Sequence, residues 1–96
     1  MLQLSENAAA ALETIRASEG IPETHDTRLT AERGPTGDLA VRLEFVENAL
    51  PEDGVAEQGG TQVYVDPLIV DALSESVMDV REGDDGLTFV FRPQAG

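Results

Sequence analysis

Cysteine is missing from this chain altogether. Within the chain, that excludes disulfides, thiolate zinc sites, thiol catalysis and cysteine-ligated clusters. Lysine is missing too. The six basic residues are all Arg, and they stand against nineteen acidic ones for a net charge of −13. The acidic side chains run from Glu6 to Asp85 rather than gathering in a tail. A surface of this sign repels phosphate backbones and anionic lipid, so neither nucleic acid nor a membrane surface is an expected partner. The excess has two readings: adaptation to a salt-rich or high-GC source, or a solvated surface that keeps the protein soluble. No apolar run approaches the length of a membrane span. The N-terminal stretch from Met1 to Asn7 has neither the basic region nor the long apolar stretch of a signal peptide, and the expected compartment is the cytoplasm. Tryptophan is absent, and the aromatics are Phe45, Tyr64, Phe89 and Phe91. Leu, Val and Ile must therefore supply most of the packing.

What is present is enough for one small domain over residues 1–96. The hydrophobic fraction is 41%, close to that of ordinary globular proteins, and no internal repeat divides the chain. Ser5 is a good N-cap, because its hydroxyl can accept an orphaned amide hydrogen bond, and Glu6 suits the positive end of the helix dipole. Ala8, Ala11, Leu12 and Ile15 recur at helical spacing as one apolar stripe, with Glu13 and Arg16 outward. Gly20 and Pro22 end the helix. Arg28–Glu32 reads as a strand with Leu29 and Ala31 on one face. Residues 39–45 form the clearest strand: Leu39, Val41, Leu43 and Phe45 on one face, Arg42 and Glu44 on the other.

The segment from Glu47 to Gly60 reads as a loop or strand end. A strand follows over Thr61–Val65, with Val63 and Val65 alternating against Gln62 and Tyr64. Tyr64, odd on a polar face, is a candidate contact residue. Asp66 can cap and Pro67 can start a short helix over Pro67–Leu73, burying Leu68 and Ile69 with Ala72 and Leu73 behind them. Val77–Glu82 and Leu87–Phe91 close the chain as a hairpin around Gly83-Asp84-Asp85-Gly86, with Asp85-Gly86 as the turn signal. Two helices among several short strands indicate an α+β domain.

The order of these pieces, together with Leu4-Ser5-Glu6-Asn7-Ala8, Gly34-Pro35-Thr36-Gly37, Val65-Asp66-Pro67-Leu68 and Gly86-Leu87-Thr88-Phe89 followed by Pro93, resembles the HesB-like family of A-type iron–sulfur cluster carriers. The resemblance covers nearly the whole chain. It implies short, mostly antiparallel or mixed strands in a β-sandwich-like core, with an N-terminal helix and a short helix after Val65-Asp66-Pro67. The family's ligands are one cysteine in a Gly-Cys-Ser-Gly-like turn and two in a Cys-Gly-Cys-Gly-like turn. By that resemblance the first position falls on Pro35 and the other two on Gly83 and Asp85. Thiolates hold iron–sulfur clusters because soft sulfur suits iron; Pro and Gly side chains carry no donor. Family members often form dimers or tetramers, which makes a homodimer the expected assembly, although the sharing of ligands between subunits is no longer a reason for it.

The remaining candidates for chemistry are few. Asp84 and Asp85, with Glu82 and Asp79 nearby and Asp38 after the other turn, offer the hard oxygens that Ca²⁺ or Mg²⁺ prefer. Their spacing matches no calcium loop, and Asp is common in solvated hairpin turns. His25 sits between Glu23 and Asp26 in a polar segment and reads as a surface residue. Ser5 is explained as a cap. Gly59-Gly60 lacks the strand–loop–helix context of a phosphate cradle. No catalytic constellation emerges and no cofactor is implied. The expected role is non-enzymatic, with a protein partner; the alternative is a divalent-cation or small-ligand module built on the acidic turn.

Overall fold

Ser5 starts the first helix as its chemistry predicts. In a computed structural model that describes residues 1–37, 39–84 and 86–94, its hydroxyl accepts the Ala8 N–H at 3.0 Å and opens α1, Glu6–Ser18. Ala8, Ala9, Ala11 and Leu12 are buried on this helix, and Ile15 is half-buried. The chain leaves it through Gly20, at φ 70°, in the left-handed region where a side chain is disfavoured. Arg16 does not simply face outward: it folds over the helix end and donates from Nη1 to Ile21 O at 2.7 Å.

The other elements are the strands β1 Gln3–Leu4, β2 Asp26–Arg33, β3 Leu39–Val46, β4 Gly54–Gln58 and β5 Thr61–Val65, the one-turn helix α2 Pro67–Val70, and the hairpin β6 Ser76–Gly83 with β7 Gly86–Pro93. They make two sheets, one in the order β1-β6-β7 and the other in the order β3-β2-β5-β4. The β2–β5 and β1–β6 pairs are parallel and the rest antiparallel. This is the mixed α+β arrangement that the resemblance implied. A core shared by both sheets and both helices joins Leu4 and Met78 to Leu29, Val63 and Val65, with Leu12 from α1 and Ile69 from α2.

Register explains what each face does. Leu43, Leu29, Val65 and Gly54 lie in one row across the larger sheet, and this row faces the core. Gly54 is required there, because a Cβ would stand 2.8 Å from Val70 Cγ2. The next row, Glu44, Arg28, Tyr64 and Val55, points to the opposite face, since successive residues alternate sides.

Several expectations are corrected. The segment after Glu47 contains a full strand, β4, because pairing with β5 turns its modest apolar content into an ordered edge. Leu68 is exposed, not buried, and so is Ala72. Helix α2 spans one turn, so Ile69 and, beyond it, Leu73 are buried in the core, with Val70 packed against it. Val41 is exposed because β3 is the outermost strand of its sheet. The ladder of the closing hairpin runs to Gly83 opposite Gly86. Gly86, at φ 109°, therefore begins β7 instead of forming half of the turn. Strand β1, too short to show a period, is an addition that sequence pattern did not reveal.

Candidate functional site

Two turns bear the positions that the resemblance marks. The first connects β2 to β3. Pairing ends at Arg33 opposite Leu39; the Gly37 N–H then donates to Gly34 O at 3.0 Å, and Arg33 Nη1 donates to Gly37 O at 3.1 Å. Gly37 sits at φ 87°, which is why a glycine closes this turn. Pro35 is exposed on it. The second turn ends the β6–β7 hairpin, where Gly83 and Asp84 are exposed. A Cβ on Gly83 would meet only Gly86 O, at 3.9 Å. Asp85 and Asp38 lie outside the described residues.

The donors at these turns do not fit an iron–sulfur cluster. Pro35 and Gly83 offer no side-chain donor, and Asp85 carries hard oxygen where soft thiolate is required. The carboxylates expected to gather near the second turn do not converge either. Asp79 accepts from the Ser5 hydroxyl at 2.7 Å, from the Val80 N–H at 2.8 Å and from Arg92 Nε at 3.2 Å. The Ser5 hydrogen bond is the main reason its carboxyl is held below the usual range, with the Val80 amide next. Asp79 thus links the start of α1 to β6, and Glu82, an odd number of residues away on the same strand, points to the other face. Among the described residues no three His, Asp or Glu side chains form a group that could hold a metal ion. His25 is half-buried and not freely exposed, with the Thr24 hydroxyl 3.4 Å from its Nδ1.

The most organised polar cluster is one that sequence reasoning missed. Arg28, buried in the middle of β2, donates from Nε to Asp53 Oδ2 at 2.9 Å and from Nη2 to Asp53 Oδ1 at 3.0 Å. This forked geometry is the strong form of an arginine–carboxylate pair. Glu44 stands 3.6 Å and Asp66 4.0 Å from the same guanidinium. The Asp53 side chain has 0% exposure. The Arg28 hydrogen bond holds its carboxyl below the usual range against the opposing effect of burial, assisted by the Leu50 N–H. Beside this cluster the Tyr64 hydroxyl is within hydrogen-bonding reach of Asp26 Oδ2 at 3.0 Å and Gln62 Oε1 at 3.1 Å. Burial, then Asp26, pushes its pKa up. Tyr64 is half-buried and bonded within the sheet. One signal for the cluster was available: an Arg beside Leu29 in a strand, in a chain with six cations against nineteen acids, must find a carboxylate if it is buried.

Comparison with known proteins places these features. No protein-family profile matches the chain. Over 91 residues, 95% of this chain and 74% of the relative, it is 30% identical to a putative iron–sulfur cluster insertion protein ErpA of Bordetella petrii. Over 90 residues, 92% of this chain and 82% of the relative, it is 34% identical to the iron-binding protein IscA of Escherichia coli. In fold it is similar to the crystal structure of IscA with the [2Fe-2S] cluster, with a TM-score of 0.80 at 21% identity over 97% of this chain and 85% of that one. It is also similar in fold to Escherichia coli SufA, with a TM-score of 0.76 at 17% identity over 96% and 79% of the two chains.

Proposed function

The chain belongs to the A-type iron–sulfur carrier family, and from that premise we propose that it is a non-enzymatic member that carries no cluster and acts by binding another protein. The observation behind this reading is chemical. The sequence contains no cysteine, and the positions where the resemblance puts the family's ligands hold Pro35, Gly83 and Asp85. A thiolate at each would complete iron's shell; these residues cannot. What remains is a carrier fold with a packed core, in which Pro35, Gly83 and Asp84 are exposed to other contacts. We take the chain as a single domain working in the cytoplasm, with a protein partner and neither nucleic acid nor membrane, because its net charge of −13 opposes both polyanions. Among the described residues no helix is long and apolar enough to cross a membrane.

Self-association as a homodimer is part of this reading. Among the described residues β3 and β7, each eight residues long, have a hydrogen-bonded neighbour on one side only. Val41 on β3 and Leu87 on β7 are 39% and 43% exposed. Open edges of this length recruit another strand unless they are blocked. Sedimentation over a concentration series tests the dimer. The cluster reading is tested by reconstituting the purified protein with ferrous iron and sulfide. The expected product is colourless and free of bound iron after desalting; a stable, stoichiometric cluster overturns the proposal.

A further inference from the structure

Among the described residues, Leu68 and Leu50 are, after Met1, the large apolar side chains that the core leaves most exposed, at 76% and 56%. They come from different segments: Leu50 lines one depression, and Leu68 is next in the chain to a residue that lines it. A depression of ≈ 400 Å³ is lined by the Leu50–Asp53 turn, by Asp66 and Pro67, and by Arg28; Leu68 follows Pro67 directly. The turn is held from within. Asp53 Oδ2 accepts the Leu50 N–H at 2.9 Å, the Asp53 N–H donates to Leu50 O at 3.0 Å, and Arg28 grips both carboxylate oxygens. Leu50, Pro51 and Glu52 are therefore presented on a fixed frame, so little ordering is left to be done when something binds. The local field is negative: among the described residues Arg28 pairs with Asp53 and stands near Glu44 and Asp66, and Glu52 adds a further carboxylate to the lining. The Arg28 charge is already engaged by Asp53.

Building on the protein-interaction reading above, we propose that this depression docks an amphipathic basic segment of a protein partner. One apolar side chain of that segment seats against Leu50, Pro51 and Pro67 and extends toward the neighbouring Leu68, and flanking Lys or Arg side chains face Glu52 and Asp66. Charge complementarity selects this occupant. An anionic segment is repelled by the rim, and an uncharged apolar one leaves the carboxylates unmatched. Burying the two leucines provides the non-directional part of the affinity, and the rim charges provide register and orientation.

The test is a titration of the ¹⁵N-labelled protein with a short Leu/Lys peptide, set beside a Ser/Lys peptide of equal charge, at physiological salt. The expected result is amide shifts gathered on Leu50, Glu52, Asp53, Asp66 and Leu68 with the leucine peptide and none localised there with the serine peptide. Leu50→Ser combined with Leu68→Ser changes two exposed side chains. It is expected to leave the melting temperature in place and weaken the leucine peptide by about tenfold or more. Unchanged affinity in that variant, equal and dispersed shifts with both peptides, or no localised shift at all each overturn the docking surface. Shifts gathered at the hairpin ends instead overturn this surface while leaving the interaction reading intact. A cluster formed on reconstitution sinks that reading whatever the peptides do.

Discussion

The hairpin ends and the Arg28 cluster use polar residues in opposite ways. In the cluster, each bond joins distant segments: Arg28 on β2 to Asp53 before β4, and the same guanidinium to Glu44 and Asp66. At the hairpin ends, the bonds described stay within the turn, Gly37 to Gly34 and Arg33 to Gly37, or close the ladder at Gly83 and Gly86. Loss of a residue at the cluster is therefore expected to propagate into the fold further than a change at Pro35, Gly83 or Asp84. The fold does not depend on what stands at Pro35 or Gly83 in the way it depends on Arg28, because both are exposed.

The largest expected effect follows from that separation. If the ends lost only their donors, returning them should return the chemistry. The variant Pro35→Cys, Gly83→Cys, Asp85→Cys, reconstituted with iron and sulfide under anaerobic conditions, is expected to gain visible absorbance and bound iron that the natural sequence lacks. Gly83 has room for the new side chain and is not in the left-handed region. A variant that folds yet stays colourless would show that more than the ligands has changed. At the other region, Asp53→Ala removes the partner of a buried guanidinium. Breaking a fully interior pair costs about 3–5 kcal/mol; here the pair borders an open depression, and a loss of about 2 kcal/mol in urea unfolding is expected. Asp84→Asn, at the exposed turn, is expected to change stability by less than about 0.5 kcal/mol. Similar losses in the two variants would erase the contrast.

The contrast also marks what was legible in the residues. The Ser5 cap, the alternation of β5 and the Gly-bracketed closing hairpin follow from local chemistry, and the structure keeps each of them. Turn positions were readable for the same reason, since Gly34-Pro35-Thr36-Gly37 declares itself without reference to the rest of the chain. Strand β4 was not readable, because its order comes from a neighbour and not from its own pattern. Leu68 was misread because a capping Asp-Pro signals where a helix starts, not which of its side chains the core will accept. The Arg28–Asp53 pair spans 25 positions, and no local period encodes it. The turns at the hairpin ends were thus visible from sequence, whereas the most organised polar site was not.

Acid should act on the fold through two carboxylates. Asp53 and Asp79 are both held below the ordinary carboxylate range, chiefly by Arg28 and by Ser5 respectively. A depressed folded pKa means that the unfolded chain binds protons first. The stability from these groups is complete above the ordinary carboxylate value of about 4 and is lost as pH falls through the folded values. The stability gap between the natural protein and Asp53→Asn is therefore expected to narrow as melting is followed downward from about pH 5. A gap that stays constant to the acid limit would show that the Asp53 charge contributes nothing.

Two glycine substitutions differ only in where they fall. Neither Gly54 nor Gly83 has a positive φ, so a methyl group brings no left-handed strain at either position and only space decides. At Gly54 the new Cβ meets Val70 Cγ2 at 2.8 Å, and Val70 packs against the core. Relief requires α2 to shift, and overpacking of this kind costs about 1–2 kcal/mol. At Gly83 the nearest atom is Gly86 O at 3.9 Å, an ordinary contact, so Gly83→Ala is expected to lie within about 0.5 kcal/mol of the natural protein. The two melting curves, measured side by side, separate a position held by packing from one that packing leaves open. If Gly83→Ala proves as damaging as Gly54→Ala, the hairpin end is part of the folded core after all, and Gly83 was retained for stability instead of standing where a ligand was lost.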